Sequence, residues 1–266
     1  MTTAADSKER FSNRVADYVR YRPGYPPEIL ELLHEECGLT LESVIADVGS
    51  GTGILTKLFL ENGNSVYGVE PNEAMREAGE EFLAAYPKFR SVAASAEATT
   101  MPDACVDFVI AAQAFHWFDP AAARKEALRI LRPPSMAALI WNDRRRTGSD
   151  FARGYEALLL RHSADYGWVS REHARIDRVA EFFGHDRWAT LSTPHGDELD
   201  FAMLSDRLNS ASYVPAAGDP GYGAMMRGLQ ELFAQTERGG KVTMEFDTRV
   251  LYASLQADRG AASGQP

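Results

Sequence analysis

The stretch Val44-Ile45-Ala46-Asp47-Val48-Gly49-Ser50-Gly51-Thr52-Gly53-Ile54-Leu55 constrains this chain more than any other. Val44 to Val48 is apolar apart from Asp47, the pattern of a central parallel strand covered on both faces. Gly49, Gly51 and Gly53 then strip side chains from a turn, and a helix follows with its first N–H groups directed into the same space. A ligand can approach the backbone there. The spacing is G-x-G-x-G rather than the G-x-G-x-x-G of dinucleotide enzymes, and an acid inside the first strand is foreign to an ordinary NAD strand. The second strand, Ser65 to Glu70, ends in an acid about 20 residues further on, where a carboxylate accepts hydrogen bonds from two ribose hydroxyls. The same charge repels a 2′-phosphate, which disfavours an NADP-like ligand.

Strands and helices alternate around this unit. Phe11, Val15, Tyr18 and Val19 have helical spacing, and Arg22-Pro23-Gly24-Tyr25-Pro26-Pro27 stops that helix. A new helix starts at Pro26 or Pro27 and ends at Gly38. The helix after the glycine turn closes at Gly63, and Asn72 can cap one running to about Tyr86. Phe89 to Ala94, Val106 to Ala112 and Met136 to Trp141 read as the third, fourth and fifth strands. Asp119-Pro120 opens a helix that Pro133-Pro134 breaks. This rhythm implies a parallel sheet with helices on both faces. After Asn142 the alternation stops. Residues 143–185 read as mainly helical, Trp188 to Phe201 as strand around a Pro194-His195-Gly196-Asp197 turn, Leu204 to Ser210 as a short helix, and Asp219-Pro220 as the start of another. Lys241 to Leu255 reads as a final strand or hairpin. Residues 1–10 are expected to be mobile and 257–266 to be a disordered tail.

Asp47-Val-Gly-Ser-Gly-Thr-Gly, Glu70-Pro71-Asn72 and Val106-Asp107-Phe108-Val109-Ile110 together resemble the class I S-adenosylmethionine-dependent methyltransferases. The segments Phe11 to Tyr18, Tyr21 to Pro26 and Phe115-His116-Trp117-Phe118 are similar to the type 11, small-molecule subgroup. The resemblance covers about residues 11–142. It implies a Rossmann-like, doubly wound seven-stranded sheet, mostly parallel with an antiparallel last strand, plus a helical cap. The cap is expected from about residues 1–25 and 143–237, over a core of about 26–142 and 188–255. It also implies S-adenosylmethionine as methyl donor and S-adenosylhomocysteine as product. In place of the Pro-Gly-Gly usual before the fifth strand, this chain has Pro133-Pro134-Ser135.

Ligands of doubly wound sheets sit beyond the carboxyl ends of the strands at the switch point. That rule gathers Gly49–Gly53, Glu70–Pro71, Ser95–Glu97, Gln113–Trp117 and Asn142–Arg144. Gly49, Ser50 and Gly51 are expected under the methionine part and ribose, and Glu70 with Pro71 at the ribose. Asp47 either fixes the turn or meets the methionine amino group. Met75 packs on the adenine or in the core. By resemblance, Ser95 and Ala96 flank the adenine, and Gln113 with Ala114 approaches the methionine part. Glu97 caps or pairs locally. His116 is a candidate general base or a hydrogen-bonded structural residue, and Trp117 a candidate acceptor wall. Asp119 reads first as a helix N-cap. In relatives the segment with Tyr18, Tyr21 and Arg22 closes over the site. Arg22 meets the cofactor carboxylate, meets an acidic acceptor, or is a surface residue, and Arg144 is a second candidate contact to substrate.

A chain of 266 residues can bury a sizeable core, and its net charge of −10 argues against nucleic acid as a partner. Cys37 and Cys105 form neither a disulfide framework nor a metal-binding spacing, and no metal is expected. There is no membrane-spanning run and no signal-peptide core, so a cytoplasmic location is expected; the resemblance, the aromatic segment at Phe115–Phe118 and the helical insertion motivate a small-molecule acceptor. Methyl transfer asks mainly for alignment, so a donor site is written more plainly than a catalytic set. Two other function classes remain open: a non-catalytic S-adenosylmethionine sensor or partner protein, and a nicotinamide-dependent oxidoreductase, against which the glycine spacing argues.

Overall fold

A computed structural model of the chain describes residues 22–163, 166, 176–211 and 213–255. Helix α1 (Glu28–Cys37) starts behind the Pro26-Pro27 pair and ends where Gly38 turns left-handed at φ 73°. Strand β1 (Val44–Val48) leads through the glycine turn into α2 (Ile54–Asn62), which Gly63 ends. Next come β2 (Ser65–Val69), α3 (Glu73–Phe82), β3 (Phe89–Val92) and β4 (Val106–Ala112). The Asn72 side chain accepts from the Met75 N–H at 3.0 Å and so caps α3. A 3-10 turn (Phe115–Trp117) joins β4 to α4 (Pro120–Ile130), whose N-cap is Asp119, and α4 runs directly into β5 (Leu131–Arg144). The later part holds α5 (Asp150–His162), α6 (Ile176–Phe183), β6 (Ala189–Leu199), α7 (Phe201–Asn209), α8 (Tyr222–Thr236) and β7 (Val242–Ser254).

The seven strands form one sheet in the order β3-β2-β1-β4-β5-β7-β6. Strands β1 to β5 are mutually parallel, and β7 runs antiparallel to both β5 and β6. The chain reverses its direction of travel across the sheet between β1 and β4, which opens a crevice at their carboxyl ends. One face is covered by α1 and α2, through Ile29, Leu33 and Phe59 on Ile45, Ile110 and Ile140. The other is covered by α4 and α6, through Ala127, Ile130, Phe182 and Phe183 on Val109 and Trp141.

A third core lies beyond the crevice. Ile140 is the last β5 residue paired to β4, and β5 continues to Arg144, about 13 Å further at the usual rise of a strand. Strands β7 and β6 prolong this ribbon until Val242 meets Leu199. Helices α5, α7 and α8 bury Phe151, Tyr155, Leu204, Leu208, Met225 and Leu229 against Val242, Met244 and Phe246 of the ribbon. Helices α5 and α8 approach closely through two glycines: a Cβ on Gly154 would stand 2.3 Å from Leu232, and one on Gly228 would stand 2.8 Å from Leu158.

Two sequence expectations change. Pro194 to Asp197 is not a turn but the middle of β6, where Pro194 faces Asp247 and His195 faces Phe246. β6 is an edge strand, and proline is tolerated there because one side of the strand needs no N–H donor. Of the strand and the hairpin expected at the C-terminal end, the strand is found, as Val242–Ser254. Pro133-Pro134 lies inside β5 rather than before it, because the fixed φ of proline suits an extended chain. The expected helix over 11–20 and the tail at 257–266 lie outside the described residues. No helix among the described residues is long and apolar enough to cross a membrane.

The two-faced core predicts an uneven response to truncation. Phe59 is fully buried, so Phe59→Ala should destabilise by roughly 3–5 kcal/mol in urea titration, whereas Leu41→Ala, at a side chain 58% exposed, should stay within about 0.5 kcal/mol.

Candidate functional site

The crevice holds a cavity of about 300 Å³ at the carboxyl ends of β1, β2 and β4. Its floor is the glycine turn. Gly49 sits at φ 71°, and a Cβ there would come within 2.5 Å of the Ala114 Cβ, so only glycine lets the segment after β4 close on the turn. The N–H groups of Gly49 and Ser50 both donate to the Val69 carbonyl, at 2.8 and 3.1 Å. The Gly51 N–H donates to Glu70 Oε2 at 2.9 Å, and the Asn72 N–H donates to Glu70 Oε1 at 2.8 Å. The first amides of the turn therefore face the end of β2 rather than the cavity. Glu70 is clamped at the cavity edge with both oxygens oriented, and a carboxylate oxygen can accept more than one hydrogen bond.

Asp47 lies behind the turn, 1% exposed. Its Oδ2 accepts from the Thr56 hydroxyl at 2.6 Å, while its Oδ1 is buried without a partner. Burial pushes its carboxyl up to about 7; the Thr56 hydrogen bond pulls it down, and the charge of Glu70 raises it further. The Thr52 hydroxyl is likewise buried and has no hydrogen-bond partner. Both residues line the cavity, so it carries two buried polar atoms without a partner among the described residues.

The opposite wall comes from the strand ends. Ser95, Ala96 and Glu97 follow β3, and Glu97 accepts from the Asp119 N–H at 3.0 Å. Gln113 leaves β4 at φ 55°, an uncommon conformation for a residue with a side chain. It is held there by its N–H on the Ile140 carbonyl and its Nε2 on the Asn142 carbonyl, each at 3.0 Å. Asn142 in turn donates to the Gly24 carbonyl at 2.9 Å and accepts from the Thr248 hydroxyl at 2.6 Å. This chain of bonds ties the segment before α1, which carries Tyr25, to the ribbon.

The structure brings Asp47, Gly49, Ser50, Gly51, Glu70, Pro71, Met75, Ser95, Ala96, Gln113, Ala114 and Trp117 to this one cavity. Three candidates lie elsewhere. His116 does not line it; the ring is half-buried and stands 4.7 Å from the Trp117 ring. Arg22 reaches the Ser210 carbonyl at 3.5 Å, and Arg144 is drawn to Glu156 and to the Tyr166 hydroxyl in the third core. Tyr18 and Tyr21 lie outside the described residues. Phe115 is core, edge-on to Phe118, Trp141 and Phe182. Asp119 caps α4 through the Ala122 N–H at 3.1 Å.

Sequence reasoning missed Tyr25, Thr52, Ile54, Leu55, Asn72, Ala112 and Phe118, all of which line the cavity. Ile54 and Leu55 follow the glycine turn directly and could have been assigned from that position. Asn72 reads as a cap, and its second task, holding Glu70 through its N–H, is visible only in three dimensions. Among the described residues no group of three His, Cys, Asp or Glu side chains is placed to hold a metal ion.

Residues 46–139 match the family model described as a methyltransferase domain. An uncharacterized methyltransferase of Mycobacterium tuberculosis is 37% identical over 139 residues, covering 52% of this chain and 54% of that protein. An uncharacterized methyltransferase-like protein of Schizosaccharomyces pombe is 33% identical over 187 residues, covering 70% of this chain and 66% of the relative. The chain spans about half the length of the mycobacterial relatives it matches. A solved structure from Anaeromyxobacter dehalogenans, described as a candidate type II methyltransferase, superposes with a TM-score of 0.64 at 22% identity, covering 88% of this chain and 98% of that one. A candidate methyltransferase of an antibiotic biosynthesis pathway in Anabaena variabilis gives a TM-score of 0.56 at 21% identity, covering 86% and 97%.

The raised carboxyl of Asp47 has a defined pH consequence. The native state holds this proton more tightly than the unfolded chain, so the stability it contributes is full below 3.8 and is lost as pH rises through about 7. Asp47→Asn should therefore gain stability relative to wild type over that window in urea titrations at stepped pH. Parallel pH profiles for the two proteins would contradict the assignment.

Proposed function

From the premise that the chain belongs to the class I S-adenosylmethionine-dependent methyltransferases of the type 11 family, we propose that it transfers a methyl group from S-adenosylmethionine to a small-molecule acceptor. The observation that carries this reading is the clamped carboxylate of Glu70, fixed by the Gly51 and Asn72 N–H groups at the edge of the cavity. In this role it accepts hydrogen bonds from the ribose hydroxyls, and its charge keeps out a 2′-phosphate.

The residues present fit the donor molecule. The cavity volume is at the lower end of the range for small-molecule sites. The unpartnered Oδ1 of Asp47 is an acceptor suited to an ammonium group, and the Thr52 hydroxyl can serve a second polar atom. Met75, with its flexible thioether, and Phe118 offer apolar surface to a purine. When bound, S-adenosylmethionine supplies an activated methyl on a sulfonium. The protein's own contribution is position: Gln113, strained and held at both N–H groups, fixes the wall on the β5 side, and Asp47 and Glu70 fix the two ends. The helical layer over the ribbon and the net charge of −10 support a small molecule rather than a nucleic acid as acceptor.

Calorimetric titration with S-adenosylmethionine, S-adenosylhomocysteine and NADH tests the reading. Wild type should bind the first two, and Glu70→Ala should weaken both by about tenfold or more, the size expected for losing hydrogen bonds to a charged group. Binding of NADH alone would contradict the proposal.

A further inference from the structure

Two residues that line the cavity, Gln113 and Tyr25, are held from behind by one that does not line it. Asn142 accepts from Gln113 Nε2 at its main-chain carbonyl, and its side-chain Nδ2 donates to the carbonyl of Gly24, next to Tyr25. Behind Asn142 the polar row continues across the sheet. Thr248 of β7 faces Asn142 in the strand register, and His195 of β6 stands beside Thr248, with its Nδ1 3.1 Å from the hydroxyl.

The directions of these bonds follow from what each group can give. The Gly24 carbonyl only accepts, so the Asn142 atom facing it is the NH2 and the atom facing Thr248 is Oδ1. Oδ1 also only accepts, so the single hydroxyl proton of Thr248 goes to it, at 2.6 Å. Thr248 then has no proton left for His195, and the imidazole hydrogen must sit on Nδ1. A neutral ring carries one such hydrogen, so Nε2 keeps a bare lone pair. It is buried and without a partner among the described residues. Burial holds the ring toward its neutral form and Arg207 acts in the same sense, while Asp197, Glu28 and Asp247 draw it the other way.

The row therefore donates in one direction, from His195 through Thr248 and Asn142 to Gly24, and bonds in such a series polarise one another. Packing alone does not call for it. A phenylalanine at position 195 would stack on Phe246 as the imidazole does, at 5.3 Å, without burying a lone pair. A valine would fill the place of Thr248, which is fully buried and has no water to turn to. What the row does is orient the Asn142 side chain, at a residue whose two ends hold Gly24 and Gln113. Gln113 depends on that hold, because its φ of 55° is unfavourable for a residue with a side chain.

We propose that His195, Thr248 and Asn142 are positioning residues of the methyl-donor site, which fix the Gln113 and Tyr25 walls of the cavity without touching the ligand. This rests on the methyltransferase reading above and extends its site to the two antiparallel strands at the far edge of the sheet.

Calorimetric titration with S-adenosylhomocysteine, with a urea titration of each protein alongside, separates positioning from support of the fold. Thr248→Val removes the hydroxyl, and His195→Phe removes the Nδ1 donor while keeping a ring on Phe246. Each should weaken binding about tenfold in the folded protein, as expected when buried groups lose a hydrogen-bond partner. Thr248→Ser, which keeps the hydroxyl, should bind within about threefold of wild type. NMR of the imidazole nitrogens, with His195 assigned by its loss in His195→Phe, should find the proton on Nδ1 and Nε2 bare. The proposal is overturned if either variant loses stability in urea yet binds like wild type, if Thr248→Ser binds no better than Thr248→Val, or if the His195 proton sits on Nε2. Should Thr248→Val fail to fold, His195→Phe and the NMR measurement decide. Failure of wild type to bind S-adenosylhomocysteine would instead overturn the methyltransferase reading beneath it.

Discussion

The carboxylate of Glu70 fastens the end of β2 to the glycine turn that follows β1, and the rest of the site is arranged around that bond pair. Without a charged acceptor at this place, the Gly51 and Asn72 N–H groups would lose their partners, and the turn and the start of α3 would lose a common anchor. Hydrogen bonds to a charged acceptor are among the stronger ones a protein makes, and here they sit beside a second buried carboxylate, Asp47. Two acids so close together disfavour each other's ionisation. Burial is the main reason the Asp47 carboxyl is raised, and the charge of Glu70, kept in place by backbone donors, raises it further. A cationic ligand between them would relieve that tension, as the proposed donor site requires.

The first half of the fold was legible because its signals are local. The alternation of strands with capped helices, the glycines at Gly38, Gly53 and Gly63, and the caps at Asn72 and Asp119 all act within a few residues of themselves. The glycine spacing and the position of Glu70 located the cavity for the same reason. β6 was misread where Pro194 and Gly196, ordinarily turn residues, are absorbed by an edge strand whose register is set by β7, far along the chain. That pairing leaves no mark in the local sequence.

The helical layer on the ribbon was the least legible part. Its core depends on residues drawn together from α5, α7, α8 and the ribbon, and the contact between α5 and α8 rests on Gly154 and Gly228, which look like helix breakers when read singly. Arg144 shows the same limit: it stood out beside the motifs, but its partners Glu156 and Tyr166 belong to segments without a motif, and only the fold brings them to it. The long reach of β5 past the end of β4 makes this possible, since it holds the helical layer against the same strand that supports the cavity wall.

A crystal structure of the protein with S-adenosylhomocysteine would test the central claim most directly. The ribose hydroxyls are predicted to donate to Glu70 while the Gly51 and Asn72 N–H bonds persist, with the amino group of the ligand at Asp47. A ribose placed away from Glu70, or a carboxylate that leaves both backbone N–H groups to reach it, would contradict a preformed clamp as the basis of this site.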